Sequence, residues 1–370
     1  MGNLMGIINT VESSRILREM TLHRPLATVP FGGKYRMIDF ILSGMVNSAI
    51  DNIGILAPYQ HRSLLDHLRS GRDWQLGRKK DGLTLLPPPY DPKEKGLEFD
   101  WHHFHSNLDF LQKSRQEFVI VASAGVIGNF DFSLPFRFHT EVKADITCLY
   151  QKQPSGDQDC PNCILLDIGN DNRVTAIRFS PPQGDNTNFF LGMFMLRKGL
   201  LIQLIQTCFA ENAADCLFRV ISNHLQQLKV YAYLYPGHIA RIHCLHSYYR
   251  HSMDLLDPKI WRELFQPGKI YTKSKDEAPA KYVGQAKATN ALVAGGCSIK
   301  GTVDHSILFH RVIVDEGTHI KNSILMPNTA VAKNACLEHV ICDKDVRISA
   351  GICLKGSREN PLFLKKGTVI

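Results

Sequence analysis

Through the first two-thirds of the chain, short uninterrupted apolar runs alternate with segments whose apolar positions recur at helical spacing. Residues 4–8, 52–57, 118–122, 145–150, 173–179, 192–196 and 230–235 read as strands, several of them apolar on both faces. Helical patterns fall at 42–50, 106–113, 199–209 and 215–227, and at 61–69 with Leu64, Leu65 and Leu68 on one side. Alternation of this kind predicts an α/β, doubly wound and mostly parallel sheet with helices on both faces. Ligands on such a sheet bind at the carboxyl ends of its strands. The proline-rich 87–95 and the polar 156–162 read as loops.

The period changes beyond about residue 256. Leu308, Val314 and Ile320 are six apart, as are Leu325, Val331 and Leu337, and then Val340, Val346 and Ile352. Gly301, Gly317, Asn328, Asn334 and Gly351 lie between them as turn formers. Hexapeptide spacing predicts a triangular parallel β-helix with one short strand per face. The expected organisation is therefore an α/β domain at 1–256, a linker at 257–289 and a coil at 290–370. A coil of this length exposes flat strand edges unless they are capped or paired, and docking against the other domain or a neighbouring subunit would cover them.

Composition narrows the field without choosing within it. The chain has 370 residues, 21% charged and 44% hydrophobic, with a net charge of +8. Its densest basic run, Arg78-Lys79-Lys80, has no interleaved aromatics to stack bases, which excludes a nucleic-acid reading. No apolar run approaches ~20 residues and no leader pattern opens the chain, so the expected location is the cytoplasm. Ten cysteines at irregular spacing, among them Cys208, Cys336 and Cys353 in apolar runs, suit reduced thiols. Cys160-Pro161-Asn162-Cys163 is a lone CxxC and reads as a loop, since a zinc or redox role needs a second pair or a dedicated context.

One stretch after the first strand combines turn, charge and packing: Pro30-Phe31-Gly32-Gly33-Lys34-Tyr35-Arg36-Met37-Ile38-Asp39-Phe40. Gly32 and Gly33 permit a sharp turn, Lys34 and Arg36 set cations on it, and Met37, Ile38 and Phe40 supply core. The string resembles the Pro-Phe-Gly-Gly-Lys-Tyr-Arg-x-Ile-Asp-Phe signature of bacterial ADP-glucose pyrophosphorylases, which activate glucose 1-phosphate for glycogen synthesis. The resemblance extends through Asn47-Ser48, Tyr59-Gln60, Asn107-Leu108-Asp109, Leu245, Tyr248, Asp254-Leu255, Pro279-Ala280-Lys281, Gly295-Gly296-Cys297 and 306–312. It implies a nucleotidyltransferase domain followed by a left-handed β-helix, in a tetramer.

The same resemblance shows what is missing. The family's glycine-rich phosphate cradle falls at Val11-Glu12-Ser13-Ser14-Arg15-Ile16-Leu17, where no glycine stands and Glu12 would repel a polyanion. The phosphate-facing lysine falls at Leu26 and the sugar-phosphate lysine at Ser180. The two metal-holding aspartates fall at Gly125 and Arg241. Cradle, metal and cations are what nucleotidyl transfer relies on. The chain thus resembles a catalytically silent paralogue of the GlgD type, with no catalytic residue, metal or cofactor implied.

No other residue cluster restores the chemistry. His102-His103-x-His105 reads as a solvated loop before a helix. His243 and His246 lack an intervening carboxylate, and Ser123 and Cys244 lack an activating neighbour. The resemblance implies an effector role for Lys34, and Arg36 and Lys281 share its character. The implied partner is the catalytic subunit, in a mixed oligomer whose activity and effector response this chain would alter. Two alternatives stand beside this reading: an active sugar-1-phosphate nucleotidyltransferase with a rebuilt site, and a hexapeptide acyltransferase using His305, His310, His319 or His339.

Overall fold

The computed structural model describes residues 2–11, 17–89, 101–153, 163–180, 187–210 and 217–370. Strands β1 (Leu4–Asn9), β2 (Asn52–Leu56) and β3 (Gly82–Leu86) run parallel with β4 (Phe118–Ser123), in the order β3-β2-β1-β4. A short strand, β5 (Val126–Gly128), follows β4 outside this sheet. Next come β6 (Ile146–Gln153), β7 (Ile164–Ile168), β8 (Val174–Phe179) and the long β9 (Thr187–Arg197). β9 lies antiparallel to β4, β6 and β7, so the parallel order gives way to a mixed edge there. β10 (Val230–Leu234) restores a parallel pair with β6, and β11 (Ile239–Arg241) pairs with β5.

Alternation along each strand feeds two cores. Met5 and Ile7 of β1 join Val119 and Val121 of β4 on one face, while Leu4 and Ile8 join Ile120 and Ala122 on the other. Both sets are excluded from water, which is why these strands read as unbroken apolar runs. Helix α1 (Met37–Asn47) begins earlier than the apolar period at 42–50 suggests. Asp39 explains the difference: its Oδ2 accepts the Arg36 backbone N–H at 2.9 Å, closing the first turn. Its Oδ1 bonds the Nε2 of buried His67, on α2 (Arg62–Leu68), and burial holds that imidazole below its usual pKa.

The tail is a left-handed β-helix with three flat faces of five parallel strands each. Its first strand, Lys281–Tyr282, lies inside the stretch expected as linker, as does helix α4 described below. The hexapeptide positions fill the coil interior: all are buried except Ile352, which is partly so. The faces differ outside. On the second face, His319 and Lys321 flank buried Ile320 and are exposed. On the third, both Ile307 and Leu308 are buried, as are Ile324 with Leu325 and Ile341 with Cys342. The second set of apolar side chains there packs against the α/β domain.

That contact makes one core out of two domains. Phe31, Phe40, Tyr248, Leu255 and Leu264 share a cluster with Ile307, Phe309, Ile324, Met326 and Ile341. Helices α3 (Leu245–Asp254) and α4 (Pro258–Phe265) form the middle layer. The Tyr248 hydroxyl donates to the Pro30 carbonyl at 2.7 Å, in full burial. Beside this core, Arg24 Nη2 reaches Asp343 Oδ1 of the coil at 2.6 Å, both side chains almost dry.

Removing one partner of a buried pair leaves an uncompensated charge. Asp343→Ala is therefore expected to lower stability by about 3–5 kcal/mol in urea unfolding. The double change Arg24→Met with Asp343→Leu should lose far less, because no charge is left stranded.

Candidate functional site

Two regions gather the candidate residues. The first lies at the carboxyl ends of β1 and β4, where Asn9 and Ser123 stand side by side. The Ser123 hydroxyl accepts the Gly125 N–H at 3.0 Å, so it closes a turn between β4 and β5. Arg241 pairs in register with Val126, and the Ile242 N–H donates to the Gly125 carbonyl at 3.0 Å. The fold thus sets Gly125 and Arg241 next to each other. The Arg241 guanidinium lies 5.5 Å from the Phe189 ring centroid, with Nη1 3.9 Å from Cys163 Sγ. Ser180 reaches the same corner, its N–H donating to the Cys163 carbonyl at 3.2 Å.

Three of the four described departure positions therefore converge. At this corner a guanidinium stands beside a glycine, and a fixed cation disfavours a divalent metal next to it. Among the described residues no group of three His, Cys, Asp or Glu is placed to hold a metal ion. Leu26 is elsewhere, buried in the interdomain core. Glu12 and Ile16 lie outside the described residues, as does Cys160. Cys163 is disulfide-bonded, which corrects the expectation of a reduced thiol in a plain loop.

Other candidates have structural roles. The histidine segment is helical (Trp101–His105) rather than a solvated loop: His103 is buried, His102 stacks on Trp101, and His105 lies 4.2 Å from the Phe209 ring. The stack of His105 on Phe209 joins segments 104 residues apart and is invisible in the local pattern. Cys244 caps α3, its Sγ accepting the Ser247 N–H at 3.3 Å, with His243 just before it and His246 in the first turn. Of the coil histidines, His305 and His339 line one cleft and His310 lines another. His305 meets Asn290, His339 meets the Tyr249 hydroxyl, His310 faces Glu277, and His319 is exposed.

The second region is the seam between domains. Gly32 and Gly33, at φ 60° and 83°, turn the hairpin of strands Pro30–Phe31 and Tyr35–Arg36. Lys34 is carried at this turn, exposed, with Nζ 5.0 Å from the Tyr35 ring. It lines a cleft of about 590 Å³ together with Lys269, Trp261, Phe265, Gly295 and His310. Arg36 points to the other side of the hairpin, donating from Nη1 to the Ser63 carbonyl at 2.8 Å. There it joins Arg24, Lys275 and Lys344, close enough for each ammonium to feel the guanidinium charge. Burial first, and then Arg36 and Arg24, push the Lys344 ammonium down to about 7. Burial likewise lowers Lys275, against the pull of Glu277. Lys281 stands apart, exposed on the first coil strand.

Comparison with known proteins agrees with this architecture. A nucleotidyl transferase model matches residues 13–234, and a GlmU-like C-terminal hexapeptide model matches 278–359. The glycogen biosynthesis protein GlgD of Bacillus subtilis is 34% identical over 99% of this chain and 96% of its own length. The chain belongs to the GlgD family. GlgD of Geobacillus stearothermophilus is also 34% identical, over 99% and 97% of the two chains. A glucose-1-phosphate adenylyltransferase from Fervidobacterium nodosum is 28% identical over 95% and 85%. Among the described residues of this GlgD-family chain, no helix is long and apolar enough to cross a membrane.

The seam cations Arg24, Lys275 and Lys344 escaped the sequence reading. Lys344 sits in a coil turn between Asp343 and Asp345, where a lone lysine reads as surface. Its pKa has a testable consequence. Below about 7 the folded chain holds Lys344 charged at a cost. Between 7 and 10.5 the folded form is neutral while the unfolded one is still protonated, so the cost fades as pH rises. Lys344→Gln is expected to raise Tm clearly at about pH 6 and much less near pH 10.

Proposed function

We propose that this chain is a catalytically silent companion of glucose-1-phosphate adenylyltransferase, assembling with the catalytic subunit and modulating its activity. The observation that carries the reading is the pairing of Gly125 and Val126 with Ile242 and Arg241. Adenylyl transfer from ATP needs a divalent metal to neutralise charge developing on the phosphates. By family resemblance two carboxylates would meet here, and the chain offers a guanidinium and no side chain instead.

The seam supports the regulatory half of the proposal. Lys34 faces Lys269 across the cleft, and Arg36 lies with Arg24 beside Lys275 and Lys344, whose ammonium groups are held down by burial first and then by these neighbouring cations. A phosphorylated metabolite bound there relieves that repulsion and contacts both domains at once. Such a ligand favours whichever interdomain arrangement brings the cations closest, which is what coupling to a partner subunit requires. The cytoplasm, where sugar phosphates are made, is the expected setting.

Co-expression with the catalytic subunit tests the proposal. The purified chain alone should release no pyrophosphate from ATP, Mg²⁺ and glucose 1-phosphate. It should co-purify with the catalytic subunit and change that enzyme's rate or effector response several-fold. Lys34→Ala and Arg36→Ala should leave co-purification intact and reduce the effector response. Turnover by the chain alone would overturn the silent assignment, and no complex with no rate change would overturn the regulatory one.

A further inference from the structure

The second face of the coil is formed by strands Lys287–Thr289, Thr302–Asp304, His319–Lys321, Cys336–Glu338 and Cys353–Lys355. Parallel pairing without offset stacks equivalent residues into columns. The middle column, Val303, Ile320 and Leu337, is buried in the coil. The flanking columns therefore point outward. One carries Asp304, Lys321, Glu338 and Lys355, with Lys355 Nζ 2.8 Å from Glu338 Oε2. The other carries Thr302, His319, Cys336 and Cys353.

Cys336 and Cys353 thus sit directly opposite each other on adjacent rungs, half-buried and exposed respectively. Burial first, and then the neighbouring Cys353, raise the Cys336 thiol above its usual pKa. Adjacent strands place opposed Cα atoms about 4.8 Å apart, within the span of roughly 4.4–6.8 Å that a disulfide bridges. Cys148, Cys208, Cys297 and Cys342 are by contrast buried and closed to reagents.

We propose that Cys336 and Cys353 form a reversible dithiol–disulfide site on the outer face of the coil, which takes a low-molecular-weight disulfide as its co-reactant. The exposed Cys353, as thiolate, attacks one sulfur of the small disulfide. A Cys353–S bond forms, the original S–S bond breaks, and one small thiolate leaves. Cys336, as thiolate, then attacks the Cys353 sulfur and expels the second small thiolate. The two protons lost by the cysteines end on the two released thiols. Two protein thiols are oxidised and one small disulfide is reduced. The bridge ties neighbouring rungs together beside the Glu338–Lys355 pair. An exposed bridge belongs to the labile class that thiols reopen readily.

Treating the full-length chain with oxidised glutathione, alkylating, and mapping peptides by mass spectrometry tests this. The expected product is a 336–353 linkage that dithiothreitol reverses. Cys336→Ser should instead accumulate a stable glutathione adduct on Cys353, because the resolving thiol is gone. A persistent Cys353 adduct in the unsubstituted chain, alkylation of both thiols without reaction, or linkage of either to a different cysteine would each overturn the proposal.

Discussion

The shared interdomain core constrains the rest of this molecule. The β-helix leaves one of its faces apolar on both sides of the strand, so Ile307, Ile324 and Ile341 need cover that the coil itself cannot provide. The α/β domain provides it through Phe31, Phe40, Tyr248 and the helices 245–254 and 258–265. Leaving several such side chains in water would cost on the order of 1.5–3 kcal/mol each. The Arg24–Asp343 pair then fixes the contact in one register, since a buried charge tolerates little sliding away from its partner.

Because that core is built around the Gly32-Gly33 hairpin, the hairpin's charges are delivered to the seam. Phe31 points into the core, 5.8 Å from Phe40 and 6.4 Å from Tyr248, and Tyr35 stacks on Phe265 at 5.2 Å. Lys34 is left facing the cleft, and Arg36 faces Arg24, Lys275 and Lys344 on the other side. Packing and electrostatics therefore oppose each other at one place. Apolar burial draws the domains together while like charges resist, and an anion would reduce the resistance. The proposed response to a phosphorylated ligand rests on that opposition.

The strand-end corner shows a different economy. Its backbone is intact: β4, the tight turn at Gly125, and β11 pairing back onto β5 all hold their geometry. Gly125, Ser180 and Arg241 meet at this corner. The Arg241 side chain rests on Phe189 beside Cys163. The backbone hydrogen bonds between β5 and β11 do not depend on those side chains, so the proposed loss of a metal site is compatible with an unchanged fold.

From the amino-acid order alone, the alternation of strands and helices and the six-residue period of the coil were legible, since both follow from local apolar spacing. So was the signature hairpin, with Lys34 and Arg36 on it, and family resemblance extended that to Leu26, Ser180, Gly125 and Arg241. Tertiary structure decided what meets what. It set Gly125 against Arg241 and drew Ser180 to the same corner, while leaving Leu26 in the core. It gathered Arg24, Lys275 and Lys344 around Arg36, left Lys281 outside, turned the histidines at 102–105 into helix, and opposed Cys336 to Cys353. The reason is physical: periodicity encodes which side of an element is buried, whereas charge proximity and thiol pairing depend on chain segments up to 320 residues apart, as from Arg24 to Lys344, being closed by packing.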